Sequence, residues 1–204
     1  MKRIAVLLWI LLLFPSITCA QEKVEAPVWN VGDKWVFTEG NIEVVGADEK
    51  SYTLNFSKDI CIHQSKGFEK IIFDKSTLTR IYGLKGNKRE KYAASGGRIL
   101  NFPFYPGKKW YYTTYNEVLT GGLKGTMQSV FNAFKVLGWE NVKVQAGNFR
   151  TIKLEHFAEI TAVRVSGAAI YWYAPEVKYF VKCQYDTGFW KVPDWELASF
   201  KLKE

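Results

Sequence analysis

The residues of this chain best suited to nucleophilic or metal chemistry are two histidines, His63 and His156, and three cysteines, Cys19, Cys61 and Cys183. A nucleophile needs a positioned base. Yet no Gly-x-Ser-x-Gly turn occurs, and Ser95-Gly96-Gly97 reads as a loop rather than a strand-to-helix elbow. In Ile152-Lys153-Leu154-Glu155-His156 the histidine shares a side with Ile152 and Leu154, which predicts a partly buried, satisfied ring and not a catalytic base. Cys61-Ile62-His63 sets two soft ligands on one face of a strand. A metal site needs three or four ligands, so one here must gather Cys61, His63, His156 and Cys183. The export signal read below favours instead a Cys61–Cys183 disulfide, formed in an oxidising compartment. A lone buried thiol at Cys183 is the alternative.

Other chemistries have weaker starting points. Glycoside hydrolysis needs two carboxylates facing each other across a sugar. Nothing in the spacing of Glu140, Glu155, Glu159, Asp186 and Asp194 pairs them. Gly83-Leu84-Lys85-Gly86 lacks both the spacing and the following helix of a phosphate loop. No catalytic set, no metal and no cofactor is therefore expected, and the chain is read as a non-enzyme.

The elements that must hold these residues begin after an address. Lys2 and Arg3 precede an apolar run from Ile4 to Phe14, followed by Pro15 and the small residues Ser16, Thr18, Cys19 and Ala20. A basic start, a short apolar stretch and a small-residue site describe a secretory signal peptide over residues 1–20. The run is too short for a membrane-spanning helix, which needs about 20 apolar residues. Cleavage between Ala20 and Gln21 is expected, with lipid anchoring through Cys19 as the alternative. Removing the segment takes Lys2 and Arg3 and no acid, so the formal charge of +8 falls by two. Export argues against a nucleic-acid partner for this modest positive charge. The partners left open are a lipid, a glycan or an envelope protein, with no transmembrane segment once the signal is gone.

The rest reads as strands. With 8 Trp, 11 Tyr and 14 Phe, the chain is far too aromatic for disorder. Strand patterns run over residues 35–38, 42–45, 52–56, 69–74, 77–82, 110–115, 128–137, 142–144, 151–157, 168–173, 177–185 and 195–202. Lys75-Ser76 is expected to be a tight hairpin, and Gln145-Ala146-Gly147-Asn148 a turn. Leu84–Gly97 looks like a polar loop, with Lys85–Lys91 a solvated part of it. Short helices fit around Thr120–Ala133 and Glu90–Ala94. Trp35, Trp110 and Trp172 are expected in the core, and Trp190 and Trp195 partly exposed. The expectation is one all-β domain over residues 21–204, a curled antiparallel sheet or half-barrel.

An internal repeat adds detail. Gly32-Asp33-Lys34-Trp35-Val36-Phe37-Thr38 returns as Gly107-Lys108-Lys109-Trp110-Tyr111-Tyr112-Thr113, with Gly, Lys, Trp, an aromatic and Thr in the same places. Duplication into halves 29–95 and 100–204 is one explanation, and a common Gly-turn entry to a Trp-led strand is the other.

Three motifs occur in order: Pro106-Gly107-Lys108-Lys109-Trp110, Ala146-Gly147-Asn148-Phe149 and Trp172-Tyr173-Ala174-Pro175 with Val177-Lys178. Together with Gly138-Trp139-Glu140, they resemble a family of secreted and periplasmic bacterial proteins of unknown function. That family shows Pro-x-Gly-x-x-Trp, Ala-Gly-x-Phe and Trp-Tyr-Ala-Pro before a strand with Val-Lys. It commonly has Gly after Ala-Pro, where this chain has Glu176. The likeness covers roughly residues 29–204 and implies a curled all-β fold in the cell envelope. It implies no catalytic residue. The function expected is a binding module holding an apolar or amphipathic ligand on the concave face of the sheet. A structural or interaction module is the alternative, and a hydrolase is the third reading.

Overall fold

The computed structural model describes residues 22–57, 69–86, 88–91, 98–117, 127–186 and 193–204. Its strands are β1 (Lys34–Phe37), β2 (Gly40–Ala47), β3 (Ser51–Phe56), β4 (Lys70–Asp74), β5 (Arg80–Lys85) and β6 (Lys88–Lys91). A second run follows with β7 (Lys109–Glu117), β8 (Met127–Val144), β9 (Gly147–Ile160), β10 (Val165–Ala174), β11 (Tyr179–Tyr185) and β12 (Trp195–Lys201). All twelve lie in one sheet, ordered β6-β5-β4-β3-β2-β1-β12-β11-β10-β9-β8-β7. Every pairing is antiparallel, as short connections between sequence neighbours dictate. The two meanders join where β1 pairs with β12, and the strands at the two ends, β6 and β7, do not pair with each other. This is the curled, unclosed sheet read from the sequence. Its one helical piece among the described residues is the 3-10 turn Pro175–Val177.

One face of the sheet is buried because alternate residues of successive strands are apolar: Trp35 and Phe37, Ile42 and Val44, Tyr52, Leu54 and Phe56, Ile71 and Phe73. The second meander supplies Trp110, Phe134, Val136, Leu154, Tyr171, Tyr173, Val181 and Leu197 to the same continuous core. Two segments outside the strands complete it. Trp29 lies against Trp35, Tyr52, Phe73 and Tyr179, with centroids 5.4–6.1 Å apart. Phe104 stacks on Phe102 at 4.0 Å and on Trp110 at 5.8 Å.

The repeated heptads fold alike. Asp33 N–H donates to Asn30 C=O at 3.0 Å, and Lys108 N–H to Tyr105 C=O at 3.1 Å. Each closes a turn whose third residue is a glycine at positive φ, Gly32 at 94° and Gly107 at 85°. Each glycine N–H then donates into the second strand of its meander, Gly32 to Val44 and Gly107 to Val136. Val44 and Val136 donate back to Asp33 and Lys108. The residue after each glycine ties in a segment outside the strands by opposite chemistry. The Asp33 carboxylate accepts from Asn30 N–H at 2.9 Å and Lys203 N–H at 2.7 Å. Lys108 Nζ donates to Asn101 C=O and to Pro103 C=O, the latter at 2.9 Å, and burial lowers its pKa.

Several expectations change. Lys88–Lys91 is strand β6 paired to β5, not part of a loop, because cross-strand bonds need no apolar period. Residues 127–133 lie in β8 and Glu90 and Lys91 in β6, so the described parts of both suggested helices are extended. The patterns at 128–137 and 142–144 belong to one strand, β8, bent by a bulge between Val136 and Gly138, with Gly138 at φ 155°. The hairpin after β4 is wider than Lys75-Ser76. The Asp74 carboxylate accepts from Ser76 and Thr77 N–H, and Asp74 N–H reaches Thr79 C=O. The pairing of β10 with β11 shifts register between Trp172 and Tyr173, and Phe180 is buried beside Tyr179 and Val181.

Candidate functional site

Strand β9 turns His156 into the core, where it stacks on Phe134 with centroids 4.1 Å apart and planes 7° from parallel. His156 Nε2 lies 3.0 Å from Asn132 Oδ1. The Asn132 amide group donates in turn to Val130 C=O at 3.0 Å and to the Thr114 hydroxyl at 3.4 Å. Burial lowers the His156 pKa from 6.5 to about 3, so the ring is neutral at physiological pH. An acceptor oxygen opposite Nε2 assigns the proton to that nitrogen. This bond is to an amide, which neither orients a base as a carboxylate would nor offers a hydroxyl to activate. The ring lies deeper than the partly buried position expected from the Ile152–Leu154 side, at 8% exposure.

The five acids read from the sequence do not converge. Glu140 Oε1 accepts from Trp172 Nε1, and its other oxygen lies 3.4 Å from Lys153 Nζ. Lys153 and Lys182 sit over the Trp172 ring, 5.1 and 5.2 Å from its centroid, so their stems cover the indole. Glu155 is exposed on β9, and Glu159 is half-buried on the same strand. Asp194 accepts from Tyr185 N–H at 2.8 Å, which ties the start of β12 to β11. Asp186 N–H donates to Ala168 C=O. The carboxylates of Glu140 and Asp194 thus fasten neighbouring strands.

Cys183 is fully buried in β11, opposite Trp195 and Tyr171. Cys61, His63, Cys19, Ala20, Gln21 and Trp190 lie outside the described residues. Among the described residues no three His, Cys, Asp or Glu side chains are grouped to hold a metal ion. No helix among them is long and apolar enough to cross a membrane. Trp35, Trp110 and Trp172 are buried as expected. Trp195 corrects its expectation: only 3% exposed, it packs against Phe37 at 4.9 Å because β12 is an interior strand of the sheet.

The concave face is filled by the protein's own Trp29, Phe104, Tyr173 and Tyr179. A cleft of about 370 Å³ opens at its border, between residues 22–28 and the corner carrying Trp139, Tyr173, Pro175 and Lys178. The N-terminal side is held in place at three points. Glu22 forms two 2.6 Å bonds with Arg150, which lowers the Glu22 pKa. Val24 exchanges 2.8 Å backbone bonds with Phe104, and Trp29 Nε1 donates to Lys178 C=O at 3.0 Å. On the opposite wall the Arg150 guanidinium covers the Trp139 ring at 4.3 Å. Burial raises the pKa of the Tyr173 hydroxyl, so it stays a neutral donor and acceptor. Val24, Trp139, Tyr173 and Pro175 make an apolar wall, while Glu22, Lys23, Glu25 and Lys178 bring charge to the same cleft. Sequence reasoning does not reach this cleft, since Glu22–Trp29 has no period. The available signal lies in the motifs, because Trp139, Tyr173 and Pro175 all fall within the ordered set described above.

No family model and no curated protein matches the chain. Among solved structures, three align with most of the chain, each at a TM-score under 0.5. A candidate exported protein with a YmcC-like fold from Bacteroides fragilis aligns over 87% of this chain and 99% of that one, with TM-score 0.49 and 13% identity. The hypothetical lipoprotein YmcC from Escherichia coli aligns over 86% and 90%, with TM-score 0.48 and 10% identity. A candidate lipoprotein from Parabacteroides distasonis aligns over 89% and 100%, with TM-score 0.38 and 11% identity.

Proposed function

We propose that this chain is an exported envelope protein, a non-enzymatic binding module for an amphipathic ligand. Residues 1–20 act as the signal, cleaved between Ala20 and Gln21 or, in the alternative, processed to a lipid-anchored Cys19. The basic, apolar and small-residue order of that segment supports the address. The observation that carries the binding reading is the cleft beside residues 22–28. Its volume of about 370 Å³ falls in the roughly 300–1,000 Å³ range of small-molecule sites. Its apolar wall and charged groups match a ligand with both characters. The ligand therefore sits at the border of the concave face, whose centre the core already occupies.

The non-enzymatic part rests on His156, buried against Phe134 and hydrogen-bonded to an amide. A second reading, a structural or interaction module, is favoured by Tyr111 and Tyr115, 61% and 50% exposed on strand β7.

Native mass spectrometry of protein purified from its own envelope tests the choice. A lipid or glycan adduct is expected, removable by mild organic extraction and reduced several-fold in Trp139→Ala/Lys178→Ala. A uniformly apo mass overturns the binding reading, and a specific protein partner in its place favours the second.

A further inference from the structure

The two free edges of the sheet are built differently. Strand β6 is four residues long and consists of Lys88, Arg89, Glu90 and Lys91. A short edge strand of charged residues resists pairing with another chain. Strand β7, Lys-Trp-Tyr-Tyr-Thr-Thr-Tyr-Asn-Glu, is nine residues long with no proline, and it pairs with β8 without a register shift. Among the described residues no strand pairs with its other side. Its inner face is anchored: Trp110 stacks on Phe134 at 4.9 Å, Tyr112 at 6.0 Å, and Thr114 accepts from Asn132. Its outer positions include Lys109, Tyr111, Thr113 and Tyr115. β7 is thus a held, regular edge rich in aromatic and β-branched residues, with neither proline nor bulge.

We propose that β7 pairs antiparallel with β7 of a second copy of this chain, about a two-fold axis at Thr113, joining two sheets into one. The strand is self-complementary in that register. Thr113 meets the partner's Thr113, Tyr111 meets the partner's Tyr115, and Lys109 meets the partner's Glu117. Opposite residues of an antiparallel pair interact directly, and aromatic, Thr–Thr and opposite-charge pairs are the favourable kinds. Any shift of register breaks all three matches. Within one chain Lys109 lies opposite Lys135 of β8, a like-charge pair. Tyr111 stacks on Phe131 at 5.9 Å, so each tyrosine pair across the axis extends an aromatic band already present on the outer face. An isologous contact of this kind closes on itself and stops at the dimer, because the other edge is the charged β6.

The test is sedimentation of the mature chain over a concentration series, with circular dichroism to confirm folding. A reversible dimer is expected. Thr113→Lys sets like charges on the axis and is expected to weaken it by about tenfold or more. Lys109→Glu weakens it likewise, and adding Glu117→Lys to Lys109→Glu restores it. Register is read by oxidative cross-linking: Thr113→Cys links two copies, because the thiols meet at the axis, whereas Tyr111→Cys does not. A chain monomeric at its highest soluble concentration overturns the proposal. So does cross-linking of Tyr111→Cys as readily as Thr113→Cys, or a dimer indifferent to Thr113→Lys.

Discussion

His156 is the residue whose chemistry the fold changes most. Its described neighbours Asn132, Phe134 and Tyr171 are uncharged, and burial lowers its pKa to about 3. In the unfolded chain the ring takes its proton below about pH 6.5. Between those two values the unfolded state holds the extra proton, so stability falls as pH falls, by up to about 1.4 kcal/mol per pH unit. Above that window the contribution is complete. Urea unfolding of wild type and His156→Gln from pH 7 to pH 4 measures it: the variant is expected to lose this part of the slope. Equal slopes reject neutral burial. The sequence carried the side on which His156 sits, through its period with Ile152 and Leu154. It did not carry Asn132, whose place opposite the ring depends on the pairing of β8 with β9.

At the scale of elements, the two glycine turns are the clearest link between sequence and structure. Gly32 and Gly107 hold positive φ in turns with matching hydrogen bonds, a conformation that costs a residue with a Cβ roughly 1–2 kcal/mol. Nothing lies within 4 Å of a Cβ built on Gly107, so Gly107→Ala isolates that strain. The expected loss is about 1–2 kcal/mol, a fall of roughly 2–8 °C in Tm for a chain of this size. A Cβ on Gly32 would also meet Lys203 Cε at 3.0 Å, so Gly32→Ala is expected to cost at least as much. Calorimetry of the two variants checks both, and an unchanged Tm for Gly107→Ala rejects the strain. The repeat was legible because a turn of this kind needs glycine at a set distance before the Trp-led strand. Strand β6 was not, because four charged residues show no period, and neither was the union of 128–137 with 142–144, because a bulge resets the alternation.

At the scale of the molecule, the β1–β12 pairing makes one sheet of two meanders, and a Cys61–Cys183 disulfide would fasten them covalently. Ser57 N–H donates to Asn41 C=O, and Thr38 N–H to Glu196 C=O beside the Trp195–Cys183 pair. Ser57, where the described chain leaves β3, thus lies at the end of the sheet that carries Cys183. Such a bridge closes a loop of roughly 120 residues, worth about 4–5 kcal/mol in the chain-entropy account. Thiol titration of the mature, unfolded and unreduced protein is expected to find no free thiol; two free thiols reject the bridge. The all-β class and the Trp-led strands were determined by the sequence alone, because each rests on local order: a period of two, a glycine before a turn. The tertiary structure alone decided that β12 lies inside the sheet and buries Trp195, that residues 22–28 wall a cleft with Trp139 and Tyr173, and that β7 is left at an edge. Those depend on which strands pair across long separations, and side-chain alternation records which face is buried but not which strand lies next to it.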